Sequence, residues 1–174
     1  RSVTTTTPFM VASVSKLVTA TAIMAAFDDG LFSLDDPVSD LLGFDLEHPN
    51  DPTPMTYRML LSHVAGVKDN WSVLNRYYVD GDSPVALGDF LASYFDPTGE
   101  NYSASRNFVT AGVTERTVYA NMGFALLGHL LSLGTGTSFP EWSQDRIFNP
   151  LQMEPASWHL EGLDEDEIAV PYEW

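Results

Sequence analysis

Apolar positions recur at helical spacing in several segments of the chain, and polar stretches rich in Gly, Pro, Asp and Ser separate these segments. The pattern predicts five or six helices and little strand. The first helix is expected from about Ser13 to Asp29, with Gly30 as a left-handed cap. Further helices are predicted over residues 38–42, 56–62, 87–94, 122–133 and 140–148.

The segments between these helices are expected to be surface connections. Residues 1–10, with four consecutive threonines, look extended, and residues 31–54 are punctuated by Asp, Pro and Gly. Residues 96–116 are polar and irregular, which is typical of a loop that frames a site. The acidic tail around Asp164 is expected to be exposed. The predicted fold class is therefore mainly α.

The composition indicates a globular chain. Its 174 residues, 44% of them hydrophobic, are enough for a single domain with a core, which we expect to span residues 1–174. No run reaches the roughly 18 to 20 apolar residues that a membrane span requires. The 24 acidic and 8 basic residues give a formal charge of −16, which argues against nucleic-acid binding. The absence of cysteine excludes disulfides, thiolate zinc sites and cysteine nucleophiles.

The four histidines do not indicate a metal or catalytic site. His48, His129 and His159 lack the close spacing with carboxylates that a metal site shows, so no metal or other cofactor is predicted. His63 follows a predicted helix, where an imidazole more often satisfies carbonyl groups than takes part in catalysis.

Ser13 and Lys16 form an S-x-x-K pattern at the predicted beginning of the first helix, and this spacing puts both side chains on one helical face. A serine hydroxyl is a weak nucleophile until a neighbour takes its proton. Lys16 can take that proton only when it is neutral, a state favoured by burial against apolar residues such as Leu17 and by the positive end of the helix dipole. The same helix end offers backbone N–H groups to an oxyanion. The alternative is a serine cap beside a snorkelling lysine.

Tyr119 and Asn121 lie just before another apolar helix. A phenol beside an ammonium group is pulled toward phenolate and can shuttle a proton between nucleophile and leaving group. The Asn121 amide has donors and an acceptor, which suit a substrate carbonyl and the lysine. The alternative is a core tyrosine with a helix-capping asparagine. Several aromatic residues of the central region either line a substrate cleft or belong to the core: they are Trp71, Tyr77, Tyr78, Phe95 and Tyr102.

Together with the intervening sequence, these motifs resemble one family. The segments that carry the resemblance are residues 9–24, 29–38, 60–66, 119–128 and 147–153. They are similar to class C β-lactamases, related D,D-peptidases and β-lactamase-like esterases, over most of the chain. The resemblance implies that Ser13 attacks an ester, amide or β-lactam carbonyl to give an acyl-enzyme, that Lys16 and Tyr119 handle the proton, and that Asn121 binds substrate.

The fold implied by the resemblance is α+β, with a helical part beside a mainly antiparallel sheet and the site between them. This sequence resembles the helical part, and its abrupt beginning and end lead us to expect a piece of a longer protein whose sheet lies largely outside the chain. The family's third motif, Lys-Thr-Gly or His-x-Gly, has no counterpart up to Trp174. A second chain or segment is expected to supply it. Val64 and Ala65 also stand where relatives often carry Thr-Ser.

Two functions are compatible with these features. The first is a serine hydrolase for a small-molecule or peptide substrate with a carbonyl electrophile, with esterase or peptidase activity favoured over a dedicated lactamase. The second is a non-catalytic binding or interaction module on the same scaffold. The resemblance alone favours a periplasmic or secreted location. Without its covering sheet, the chain is expected to expose an apolar face and to associate.

Overall fold

The computed structural model describes residues 3–169, which are mostly helical. The α-helices are α1 (Ser15–Asp28), α2 (Tyr57–Leu61), α3 (Trp71–Leu74), α4 (Leu87–Phe95), α5 (Ala104–Asn107), α6 (Asn121–Thr135) and α7 (Phe139–Ser143). Short 3₁₀ turns occur at Ala12–Val14, Val38–Leu41 and Glu165–Glu167, and a π-helical turn at Gln144–Phe148 directly follows α7. Within the described range, pairing of the β type is confined to three isolated antiparallel bridges. The predicted mainly α class is confirmed.

The predicted helices are all present, with ends within two residues of those expected. Two short helices, α3 and α5, were not predicted, and α5 lies inside the expected irregular loop. Residues 3–10 are not simply extended, because Thr7 N–H donates to the carbonyl of Thr4 at 3.3 Å and closes a turn. Residues 1 and 2 lie outside the described residues. No helix between residues 3 and 169 is long and apolar enough to cross a bilayer.

Helix α6 lies at the centre of the core and packs against α1, α2, α4 and α7. Leu126, Leu127, Leu130 and Leu131 are fully buried, because a helix with neighbours on most sides has little face left for solvent. Each buried leucine contributes roughly 1.5–3 kcal/mol. The first residue of α6 is Asn121, so this helix ties the candidate site to the core.

Helix α1 has apolar residues all around its circumference, which is typical of a helix surrounded by protein. Its inner face buries Ala22, Ile23 and Ala26 in the core, next to α6. Its outer face leaves Leu17 69% exposed and Met24 39% exposed. The described residues therefore cover one side of α1 and leave an apolar stripe on the other.

Helices α1, α2 and α6 are each followed by a residue in the left-handed conformation, which for α6 is Gly136. Gly30, with φ of 76°, follows α1, and its N–H donates to the carbonyl of Phe27 at 2.9 Å, which confirms the predicted cap. After α2 the same position is taken by His63, with φ of 58°, and Val64 N–H closes the turn on the carbonyl of Met59 at 2.9 Å. A residue with a Cβ loses roughly 1–2 kcal/mol in this conformation. The turn directs the imidazole of His63 toward the residues that precede α6.

A buried polar network fixes the segment between α2 and α3. Tyr94 OH accepts from the backbone N–H of Asn70 and donates to the carbonyl of Lys68, both at 2.8 Å. The side chain of Asn107 accepts from Asn70 Nδ2 at 2.9 Å and donates to the carbonyl of Tyr94 at 2.8 Å. A satisfied buried network favours one arrangement of its members. The network therefore holds Asp69, between Lys68 and Asn70, in a defined place at the beginning of α6.

Candidate active site

Ser13 lies in the 3₁₀ turn Ala12–Val14 directly before α1, and it is exposed. The turn continues into α1, so helical geometry brings Lys16 to the same face, with Lys16 Nζ 3.3 Å from Ser13 Oγ. Ala12, which precedes the serine, has φ of 45°, a conformation that residues with a Cβ rarely adopt. Such backbone strain, roughly 1–3 kcal/mol, is found most often at functional sites.

The Lys16 ammonium is half-buried among three side chains. It donates to Asn121 Oδ1 at 2.6 Å, and it lies 4.8 Å from the ring centroid of Tyr119 and 5.8 Å from that of Phe124. The expectation that Leu17 would cover the ammonium is wrong, because Leu17 is mostly exposed. The rings of Tyr119 and Phe124 cover the ammonium instead. A cation over an aromatic ring gains roughly 0.5–1 kcal/mol at an exposed position.

Tyr119 completes the contacts around the serine. Its hydroxyl donates to Ser13 Oγ at 2.7 Å, and about half of its side chain is exposed. Hydrogen bonding to the Lys16 ammonium, followed by the bond to Ser13, lowers the pKa of Tyr119 below its ordinary value. The structure thus brings together the two predicted pairs, Ser13 with Lys16 and Tyr119 with Asn121, across more than 100 positions of sequence.

His63 lies behind Tyr119. Its ring centroid is 4.7 Å from that of Tyr119 and 5.0 Å from that of Phe124. Its Nδ1 accepts from the backbone N–H of Ala120 at 3.3 Å, so the expectation that this imidazole satisfies carbonyl groups is wrong. Its own backbone carbonyl accepts from Val118 N–H at 2.8 Å. Burial is the main cause that lowers the pKa of His63, and this favours the neutral ring whose Nδ1 can accept.

Asp69 is a site residue that the sequence analysis missed. One of its carboxylate oxygens accepts from the backbone N–H and from Nδ2 of Asn121, at 3.0 and 2.8 Å, and the other accepts from Met122 N–H at 3.1 Å. The sequence carries only an indirect signal for this contact. Ala120 precedes α6, and its methyl side chain cannot accept a hydrogen bond. The first N–H groups of α6 therefore need acceptors from elsewhere in the chain.

A cavity of about 770 Å³ lies next to the site, and Asn121 forms part of its wall. The wall is mostly apolar. Of the five aromatic residues considered for a cleft, Trp71, Tyr77 and Tyr78 line this cavity, whereas Phe95 is fully buried in the core and Tyr102 is partly buried against it. Of the two alternatives left open for these rings, the cavity wall therefore holds for three and packing with the core for two.

The clustered groups are an exposed hydroxyl, an amine, a phenol with a lowered pKa and an amide. These groups suit proton transfer at an oxygen nucleophile. Within residues 3–169, no three His, Asp or Glu side chains come close enough to hold a metal ion.

The same residues lie within a match to a known family. The model of the beta-lactamase family matches residues 1–172. The chain belongs to the beta-lactamase family. Penicillin-binding protein 4 of Amycolatopsis lactamdurans is 32% identical over 155 residues, which are 86% of this chain and 35% of that protein. Lovastatin esterase of Penicillium rubens is 28% identical over 165 residues, which are 85% of this chain and 39% of the esterase.

Solved structures show the same relationship. The D-amino acid amidase of Ochrobactrum anthropi SV3, in complex with L-phenylalanine amide, has a TM-score of 0.64 and 26% identity, and the match covers 87% of this chain and 39% of the amidase. This beta-lactamase family chain therefore has the fold of a helical part of β-lactamase/transpeptidase-like proteins. It spans between 35% and 39% of these relatives. Family membership supports a function of the serine hydrolase type.

Proposed function

We propose that Ser13 is the nucleophile of a serine hydrolase that forms an acyl-enzyme with ester or amide substrates. The observation that supports this most strongly is the convergence of two proton-carrying groups on one exposed oxygen. Tyr119 OH is 2.7 Å and Lys16 Nζ is 3.3 Å from Ser13 Oγ. A serine cap with a snorkelling lysine, or a core tyrosine, would not require these three groups to meet.

In the proposed acylation step, Ser13 Oγ attacks the carbonyl carbon, a C–O bond forms, and the carbonyl π electrons move onto the oxygen. The proton of Ser13 passes to Lys16 or Tyr119. It is then delivered to the alkoxide or amine leaving group as the bond between that group and the carbonyl carbon breaks. Water attacks the acyl ester, loses a proton through the same groups, and releases the acid while Ser13 recovers its proton.

Lys16 and Tyr119 have different parts in this scheme. The lowered pKa of Tyr119 increases its phenolate fraction, and phenolate is the form that accepts a proton. In the proposed order, a neutral Lys16 amine first takes the proton from Ser13, and the ammonium that results then favours the phenolate of Tyr119, so that Tyr119 gives its proton to the leaving group and recovers one from Lys16. We therefore assign Lys16 as the activating amine and Tyr119 as the shuttle toward the leaving group.

Asn121 is proposed to bind the substrate although its side chain already has partners. Its Oδ1 accepts from Lys16, and one Nδ2 hydrogen is donated to Asp69. The other Nδ2 hydrogen can donate to a substrate carbonyl. The backbone N–H of Ser13 is proposed as one oxyanion donor, and the strand that carries the family's third motif would supply the second.

The cavity beside Asn121 is proposed to hold the acyl group of the substrate. Trp71, Leu74 and Phe90 are among its lining residues, and no lysine or arginine of the described residues lines it. Apolar walls favour a hydrophobic group. Asp82 in the lining is itself a carboxylate, and it disfavours a second one on the substrate. We therefore expect neutral esters or amides with a bulky apolar acyl group to be preferred.

A non-catalytic binding module remains the second candidate function. The observation that favours it is the mostly apolar cavity of about 770 Å³ beside Asn121, which can hold a ligand without any reaction at Ser13. Such a module would still use the cavity beside Asn121, but it would not need Tyr119 on Ser13 Oγ.

Intact-protein mass spectrometry after exposure to a fluorophosphonate separates the two candidates. The protein is produced from its full open reading frame, and a single adduct on Ser13 is expected that disappears in Ser13→Ala. Ser39→Ala is the matched control, because Ser39 is exposed in the turn Val38–Leu41, and it should label like the wild type. Parallel exposure to a penicillin shows whether lactams are also accepted. A folded protein that reacts with neither reagent would exclude the hydrolase and favour the binding module.

A further inference from the structure

We propose that Asp69 is a positioning residue of the active site, which fixes the amide of Asn121 and thereby holds Lys16 at Ser13. This inference rests on the proposed hydrolase function. Asp69 acts through Asn121 and does not touch the reacting atoms.

The contacts of Asp69 form a direct chain to the nucleophile. Asp69 accepts from Asn121 Nδ2 at 2.8 Å, Asn121 Oδ1 accepts from Lys16 Nζ at 2.6 Å, and Lys16 Nζ lies 3.3 Å from Ser13 Oγ. The chain joins the segment after α2, the first residue of α6 and the first turn of α1. A change at Asp69 is therefore transmitted to Ser13 through two side chains.

The chemistry of the partners determines which way the Asn121 amide faces. An ionised carboxylate only accepts hydrogen bonds, and an ammonium only donates them. With Asp69 on one side and Lys16 on the other, the NH₂ group must face Asp69 and the oxygen must face Lys16. If Asp69 did not accept, the amide could turn and present its NH₂ to Lys16, which would be a contact between two donors.

Asp69 is itself held in place on both sides. The carbonyl of Lys68 and the N–H of Asn70 both bond to Tyr94 OH at 2.8 Å, and Lys68 N–H donates to the carbonyl of Asn107 at 2.8 Å. Asn70 and Asn107 are buried, with exposures of 6% and 0%. A carboxylate on such a fixed segment can set the geometry of its partners instead of following them.

The charge of Asp69 also reaches the proton shuttle. Its negative charge acts to raise the pKa values of Tyr119 and His63, against the lowering effect of Lys16 on each. Neutralising Asp69 would remove that opposition. The pKa of Tyr119 should then be lower still, which gives a signature that loss of a helix cap alone would not produce.

The test is the rate of fluorophosphonate labelling at Ser13 in Asp69→Asn, measured against pH. The asparagine keeps the shape but replaces one acceptor oxygen with a donor, so we expect a labelling rate lower by about tenfold or more. In the plot of labelling rate against pH, the limb that reports ionisation of Tyr119 should move to lower pH. Asp69→Glu, which keeps the charge, should recover part of the rate.

A double-variant comparison distinguishes positioning from a structural role. If Asp69 acts through Asn121, then Asp69→Asn should change the labelling rate by less than about threefold when Asn121→Ala is already present. Circular dichroism and the melting temperature show whether each variant is folded. Asp51→Asn is the matched control, because Asp51 also accepts backbone N–H groups, from Thr53 at 2.9 Å and Val113 at 3.0 Å, and it should label like the wild type.

Each remaining outcome is decisive. A folded Asp69→Asn protein that labels at the wild-type rate overturns the positioning role and leaves the hydrolase intact. Effects of Asp69→Asn and Asn121→Ala that multiply independently also overturn it, since they would mean that Asp69 does not act through Asn121. A wild-type protein that fails to label at Ser13 overturns the proposed function together with this inference.

Discussion

The hydroxyl of Tyr119 donates to Ser13 Oγ at 2.7 Å, although 106 positions of sequence separate the two residues. The contact exists because α6 is packed in the core next to α1, and because His63 and Asp69 fix the segment that leads into α6. The candidate site is thus built from three segments, two of which carry the motifs predicted from the sequence. The third, residues 63–69, accepts hydrogen bonds from the backbone at the beginning of α6.

Tyr119→Phe tests the hydroxyl separately from the ring. The ring can stay against His63, and Tyr119 is about half exposed, so the free energy of unfolding should change by no more than about 0.5 kcal/mol. Loss of a positioned proton carrier should lower the rate of fluorophosphonate labelling by about 100-fold or more. Tyr102→Phe, at a partly buried ring that packs against the core, serves as the control. A variant that labels as fast as the wild type would show that Tyr119 carries no proton in acylation.

His63→Asn and His63→Phe separate the two contacts of the imidazole. Asparagine tolerates the left-handed backbone and offers an oxygen to Ala120 N–H, but it lacks the ring that packs on Tyr119. Phenylalanine keeps a ring, leaves that N–H without its acceptor, and should lower the free energy of unfolding by about 1–3 kcal/mol. Urea denaturation measures the free energy of unfolding, which reports the Nδ1 contact. The rate of fluorophosphonate labelling reports the contact between the imidazole ring and Tyr119. If the phenylalanine variant proves as stable as the asparagine variant, the contact between His63 Nδ1 and Ala120 N–H does not contribute to the free energy of unfolding.

The sequence predicted those parts of the molecule that local rules determine. The helices α1 and α6 have long apolar patterns, and Ser13 with Lys16 are three residues apart, so their relation follows from helical geometry. Asp69 could not be predicted in the same way, because its partners lie 52 and 53 positions away and depend on how α6 packs. Helix α3 was missed because four residues give too little periodicity.

The stability of the protein should depend on pH through three histidines, of which His48 is buried and His63 and His129 are half-buried. Burial is the first cause that lowers the pKa values of His48, His63 and His129 from the ordinary 6.5. The unfolded chain therefore binds protons at a pH where the folded chain does not. The resulting stability is present above pH 6.5 and is lost as the pH falls from there through the lowered pKa values. Carboxylates with a lowered pKa, such as Asp51, change the free energy of unfolding only in a separate pH range below 3.8.

Urea midpoints measured at pH 8, 7, 6 and 5 check this dependence. The midpoint should fall across the lower half of the series, and His129→Gln should make the curve flatter. A constant midpoint over that range would mean that the histidines titrate alike in the folded and unfolded chains.

Gly66 should be intolerant of a side chain for two reasons. Its φ of 72° is left-handed, and an added Cβ would lie 2.7 Å from the ring atoms Cδ2 and Nε2 of His48. Gly30→Ala is a matched control, since Gly30 has φ of 76° and no atom within 4 Å of an added Cβ. We expect Gly30→Ala to cost roughly 1–2 kcal/mol, and Gly66→Ala to cost about 1–3 kcal/mol more from overpacking. Equal effects in thermal unfolding would show that His48 moves aside freely.

The outer face of α1 should make the 174-residue chain associate when it is produced alone. Leu17 and Met24 of α1 are 69% and 39% exposed, and Val14 and Met10, which precede α1, are 64% and 75% exposed; exposed apolar residues of this kind mark interaction surfaces. In light scattering, the apparent mass should rise with protein concentration.

Met24→Lys distinguishes apolar association from charge effects. The formal charge is −16, so an added lysine reduces the net repulsion between copies. If the apolar face drives association, Met24→Lys should nevertheless shift the chain toward the monomer, because it places a hydrated cation in the contact. Leu133→Lys, on α6 at 43% exposure, is the control and should leave the mass distribution unchanged. A wild-type chain that stays monomeric at high concentration would show that this face needs no partner.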